Sequence, residues 1–177
     1  MLRSHNRVLS LAMSVPLAFA GLAACDSDDS TPVEEDPLAE QEEHVCEHFN
    51  DGPVMTVTAG ATAAQAATID AMHTRWDVTL GADGAGGYVG YVAIAADETT
   101  TYALFVGDGV TLAVKDATGA AVVPSFSKTG SDVCEPLGAW FKIPVAVGSY
   151  VVELKSASVQ KAELVYGEPG HDEHESE

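Results

Sequence analysis

The chain has 177 residues and sets 27 acidic side chains against 8 basic ones, for a formal net charge of −19. That field repels phosphate backbones and anionic headgroups, so it argues against a nucleic-acid partner and against attachment to a membrane by charge. Beyond Ala24 no apolar run is long enough to cross a bilayer.

The N-terminus carries Arg3 and Arg7, then an almost wholly apolar stretch over residues 8–24. A positive start, an apolar run and a small-residue ending form a secretory signal. The ending Leu22-Ala23-Ala24-Cys25 resembles the lipobox of bacterial lipoproteins. In that family the signal is cut before the cysteine, which becomes lipid-modified and opens the mature protein. The resemblance implies a signal peptide over residues 1–24, lipid attachment at Cys25, export, and anchoring to a bacterial cell membrane. Inner and outer membrane both stay open. In enterobacterial lipoproteins an aspartate after the cysteine, as at Asp26, goes with retention at the inner membrane.

Residues 25–41 read as the lipidated cysteine followed by an acidic tether, too poor in apolar side chains to fold. Fully extended, residues 26–41 reach about 50 Å at roughly 3.3 Å per residue. Residues 40–50 form a helix candidate. Within it lies His44-Val45-Cys46-Glu47-His48. On a helix His44 and His48 sit one turn apart on one face, the spacing with which two imidazoles grip one metal ion. Glu43 and Glu47 would add cation attraction. A third ligand is needed, and His73 is the best placed. The competing reading is an exposed acidic tether end that happens to hold two histidines.

Residues 42–167 read as one all-β domain, a β-sandwich or jelly roll of about 8–9 antiparallel strands. Strand patterns fall at 54–59, 75–80, 87–96, 100–106, 110–115, 120–124, 139–145, 149–155 and 159–166. In 100–106 both faces are apolar, as expected of a central strand. Asp108-Gly109 is a hairpin turn signal. Residues 61–70 are alanine-rich and offer one or two helical turns. The last segment, 168–177, is an acidic tail carrying His171 and His174, read as disordered or as a weak binder of transition metals.

Three pieces resemble the bacterial pre-peptidase C-terminal family: Tyr102-Ala103-Leu104-Phe105-Val106, the strand at 110–119 ending in Asp116-Ala117-Thr118-Gly119, and the late Gly148-Ser149-Tyr150-Val151. They span roughly residues 97–166. Members are non-catalytic β-sandwich modules beside secreted enzymes, so the resemblance implies an accessory role. Residues 44–53 have no counterpart in that family.

With Cys25 assigned to lipid, Cys46 and Cys134 remain as a pair in an oxidising setting, which favours a disulfide. Its loop near 88 residues would contribute on the order of 4 kcal/mol in the chain-entropy model. A bridge requires Cα atoms within roughly 4.4–6.8 Å. Free thiols, or thiolates on a metal, are the rival.

Other patterns carry little chemistry. The glycine-rich residues 81–87 lack the lysine and the helix of a phosphate cradle. Asp83 and Asp108 lack the ligand spacing of a Ca²⁺ loop. Ser125-Phe126-Ser127-Lys128 and Lys128-Thr129-Gly130 match S-x-x-K and K-T-G but share one lysine, so both cannot serve. Trp76, Trp140, Tyr88 and Tyr91 read as core before they read as a sugar platform. No catalytic motif is found, and the chain is not expected to be an enzyme. The first expectation is therefore a lipid-anchored, non-catalytic binding or scaffolding domain whose protein, glycan or metal ligand is open. The alternative is a Zn or Cu site built from His44, His48 and His73.

Overall fold

The computed structural model describes residues 37–168. The stretch read as a signal peptide, Cys25, most of the stretch read as a tether, and His171 and His174 lie outside the described residues. Helix α1 spans Pro37–Asn50. The strands are β1 (Val54–Thr58), β2 (Ala67–Thr68), β3 (Arg75–Thr79), β4 (Gly81–Ala82), β5 (Tyr88–Ala96), β6 (Thr100–Gly107), β7 (Val110–Asp116), β8 (Ala121–Val122), β9 (Phe126–Thr129), β10 (Leu137–Val145), β11 (Gly148–Ser156) and β12 (Lys161–Gly167). Nine have four residues or more, and β2, β4 and β8 have two each.

They form two sheets. The first has the order β1-β3-β12-β6-β10-β9; the second runs β2-β5-β11-β7-β8, with β4 also on β5. The fold is an all-β sandwich, and most pairings are antiparallel. Two are parallel, β1 with β3 and β2 with β5, so both sheets are mixed. Parallel neighbours need a crossover connection, and no local turn signal announces one. The alanine-rich residues 61–70 supply only a single 3₁₀ turn, Ala63–Gln65, before β2.

Period-two alternation builds the central core. Val78, Val92, Ile94, Leu104, Val106, Ile143, Val152, Leu154 and Leu164 are buried between the sheets. The outer face of the first sheet is apolar too, and α1 covers it. Val45 and Phe49 of the helix pack with Ala103, Phe105, Leu137, Trp140 and Val165. This explains the two apolar faces of β6: Tyr102, Leu104 and Val106 look inward, while Ala103 and Phe105 look to the helix. A bulge between Leu137 and Ala139 lets Leu137 and Trp140 share the helix side. Gly138 makes it feasible, since a Cβ there would lie 2.6 Å from the Gly107 carbonyl oxygen.

The helix starts at Pro37, three residues before the candidate start at residue 40 and inside the stretch read as tether. Proline suits a first helical position because its missing N–H would be unpaired there anyway. Leu38, Glu42, Val45 and Phe49 recur at spacings of four, three and four and form the inward stripe.

Candidate metal centre

Three devices fix α1 on the sheet. The first is the disulfide between Cys46 and Cys134, with Cα atoms 5.5 Å apart across 88 residues of sequence. Cys134 lies in the loop between β9 and β10 and is buried. The second is Glu42, a carboxylate only 1% exposed in the middle of the apolar stripe. Burial alone would raise its pKa. Hydrogen bonds from Lys128, Ser131 (2.5 Å) and the Trp140 indole (3.1 Å) outweigh that and hold it below the usual carboxylate range. Lys128 is thereby engaged with Glu42. The third is Arg75, whose guanidinium donates to the carbonyl of Phe49 in the helix's last turn and pairs with Asp77 at 3.3 Å. A cation suits that negative end of the helix dipole.

With the helix so held, His44 and His48 share its flank. Their Nε2 atoms are 3.3 Å apart. His73 comes from the connection between β2 and β3. Its backbone is left-handed, with φ of 53°, the one positive φ outside glycine among the described residues. Histidine tolerates this region better than most residues, and such outliers concentrate at functional positions. The connection is pinned closely. The His73 amide donates to the Tyr166 carbonyl at 2.9 Å. The Tyr166 hydroxyl donates to the Ile69 carbonyl at 3.2 Å, and the Trp76 indole to that of Ala71 at 2.9 Å. Burial pushes the Tyr166 phenol up to about 12, so it remains a donor at any ordinary pH.

The His73 ring lies against the end of β12. A Cβ on Gly167 would come within 2.8 Å of its Cε1 and 2.9 Å of its Nε2. A larger residue at 167 would have to displace the ring from this position.

The result is a tripod in which one nitrogen from each of His44, His48 and His73 lies within 4.8 Å of the others. Ring centroids are 4.8, 5.5 and 6.1 Å apart. Four nitrogens held tetrahedrally about Zn²⁺ at 2.0–2.1 Å stand about 3.3 Å from one another. The helical pair already has that spacing, and the third nitrogen, from His73, lies within 4.8 Å. His44 is exposed, and His48 and His73 are half-buried. Desolvation first, then the neighbouring imidazoles His44 and His73, lower the pKa of His48 against the opposing charge of Glu47. The neutral form so favoured is the one that ligates metal.

Among the described residues this is the one grouping of three or more His, Cys, Asp or Glu with ligand spacing. Asp83 instead closes its own loop, accepting from the amides of Ala85 (2.7 Å) and Gly87 (2.9 Å). Trp76 and Trp140 are core. Ser125 donates to the Lys142 carbonyl at 3.2 Å. No local signal marks Gly167, Arg75 or Glu42 as parts of the site's frame, since each acts through a partner at least 26 residues away.

No protein-family model matches this chain. No curated protein matches it either.

Proposed function

We propose that this protein is a lipid-anchored lipoprotein of the bacterial envelope whose β-sandwich holds one transition-metal ion, Zn²⁺ or Cu²⁺, in the His44–His48–His73 tripod. The observation that carries the metal assignment is convergence: two imidazoles one helical turn apart meet a third from a distant connection, within 4.8 Å. Imidazole donors suit both ions. Acid at Glu43 and Glu47 favours a cation, and the half-exposed position lets the ion exchange with solvent. The role that fits is metal capture or buffering at the membrane face, with no bond-breaking step. The anchor rests on the Leu22-Ala23-Ala24-Cys25 ending.

The test is competition for Zn²⁺ against a chromophoric chelator, using the full chain purified in detergent. One ion per chain is expected. Removing an outer-shell partner of a metal ligand costs about 10–100-fold in affinity, so His48→Ala or His73→Ala is expected to cost at least that. Uptake unchanged in both variants overturns the metal assignment and leaves an anchored, non-catalytic binding or scaffolding module. For the anchor, Cys25→Ser is expected to abolish lipid attachment. A processed protein with an unmodified Cys25 would contradict it.

A further inference from the structure

One of the three fasteners on α1 is a bond that redox chemistry can open. Resting on the metal assignment above, we infer that the Cys46–Cys134 disulfide gates the ion: reduction by a protein dithiol unseats α1 and releases the metal, and bound metal in turn protects the bridge.

Cys46 stands midway between the two helical ligands, two residues after His44 and two before His48. Its partner Cys134 is only 1% exposed and packs beneath the helix with Phe105, Leu137 and Trp140. The loop that carries Cys134 is itself set. The amides of Val133 and Cys134 donate to Ser131 Oγ at 3.2 and 3.0 Å, and Ser131 donates to Glu42. The bridge therefore ties the middle of the His44–His48 turn to a fixed point on the sandwich. His73 belongs to the sandwich side, since its amide is bonded to the Tyr166 carbonyl on β12. A metal ion held by all three histidines makes a second tie between the same two bodies. Two links that seat one element in one place favour each other, because the ordering that one secures is not needed again by the other. The bistable element is α1, seated or unseated. A helix of 14 residues is marginal on its own, so an unseated α1 loses the His44–His48 spacing as well as its register with His73. Glu42 and Arg75 still hold the helix after reduction, so the site weakens while the sandwich stays folded.

The exchange chemistry has one open approach. Cys46 is half-buried and Cys134 is buried, so an incoming thiolate reaches the Cys46 sulfur. Its attack forms a mixed disulfide with Cys46 and breaks the Cys46–Cys134 bond, and Cys134 leaves with the electron pair and takes up a proton. The second thiolate of the dithiol then attacks its own sulfur in the mixed disulfide, and Cys46 leaves in the same way. Two electrons and the two thiol protons pass from the dithiol to the cysteine pair, and the dithiol ends as a disulfide. Coupling between the two ties is reciprocal: the factor by which the bridge raises metal affinity is the factor by which metal favours the bridged form. Loaded protein therefore resists the dithiol, and reduced protein gives up its ion.

The experiment measures Zn²⁺ affinity by chelator competition on the full chain in detergent, first oxidised, then after reduction with a phosphine that is removed without air. Affinity is expected to fall about tenfold or more on reduction, inside the roughly 5–150-fold range of coupled sites. Cys46→Ser/Cys134→Ser is expected to match the reduced wild type. Poised against a thioredoxin-type dithiol, the bridge is expected to be harder to reduce in saturating Zn²⁺, by about 30 mV for each tenfold of affinity. Amide exchange in residues 37–50 is expected to speed up on reduction while β6 stays protected. Equal or tighter Zn²⁺ binding after reduction overturns the proposal, as does a midpoint that Zn²⁺ leaves in place. Equal loss of protection in α1 and β6 also overturns it, since the metal would then leave with the whole fold. Oxidised His48→Ala reads the tripod separately: if it takes up Zn²⁺ as the oxidised wild type does, the metal assignment fails, whatever the bridge does.

Discussion

The two faces of the first sheet are held by different physics. Its inner face meets the second sheet through aliphatic and aromatic side chains such as Val78, Leu104, Ile143 and Leu164. Its outer face meets one 14-residue helix, and there apolar contact is supplemented by a disulfide, a buried carboxylate and an arginine at the helix end. Apolar burial is non-directional. It suffices to close a sandwich, where strand registry is already fixed by ladders of hydrogen bonds. It does not set the rotation and height of a lone helix to within the few tenths of an ångström that a ligand set needs. Covalent and hydrogen-bonded attachments do. The outer face is therefore built for placement, the inner one for cohesion.

That contrast breaks most sharply in the core. Leu104→Ala removes a side chain buried completely between the sheets, and a cost of about 3–5 kcal/mol is expected from lost transfer energy and the cavity left behind. Denaturant unfolding should show one cooperative transition at lower midpoint, with Zn²⁺ affinity unchanged in the chains that remain folded. Next comes the disulfide. Cys46→Ser/Cys134→Ser should cost about 2–4 kcal/mol. It should also loosen α1 selectively, so that amide exchange speeds up in residues 37–50 before it does in β6, and metal affinity falls. Equal acceleration in both elements would erase the distinction between the faces.

The smallest of the three effects is at Glu42. Glu42→Gln keeps an acceptor for Trp140 but removes the charge facing Lys128, at an expected cost of about 1–3 kcal/mol at neutral pH. Glu42 has a pKa lowered from 4.5 in the fold, so its contribution is complete above that value and is lost as the pH falls through the folded one. The wild type should lose stability along that acidic limb, and the variant should lose less. Parallel acid limbs would mean that Glu42 is not a fastener.

The cohesive face was largely legible in the sequence, and the placing face was not. Alternation in 87–96 and 139–145 is a local property, and the strands fall at Tyr88–Ala96 and Leu137–Val145. The double apolar pattern of 100–106 was readable as burial on both sides, though not as burial beneath a helix. His44 and His48 were readable because their spacing is set within one turn. His73 was readable only as a candidate, since nothing near it in sequence encodes the connection that turns it toward α1. Gly167 looks like any strand end until the ring lies on it. The bulge at Gly138 and the parallel pairing of β1 depend on neighbours from elsewhere in the chain. The early start of the helix shows the same limit: Leu38 has a reason to be helical only because Phe126 and Trp140 belong to the surface beneath it.

The crossing of 88 residues by one bond and the seating of His73 on Gly167 also set an order of assembly. The helix enters the chain first, yet its partner cysteine follows β9 and its third histidine is seated only when the last strand has paired. An isolated helix of this length is marginal in water. A chain emerging N-terminus first would therefore carry two unorganised histidines until its final strand is in place. The tripod therefore depends on the pairing of β12, and a chain cut before that strand would lack it. Ion uptake would thus double as a report that β12 has paired.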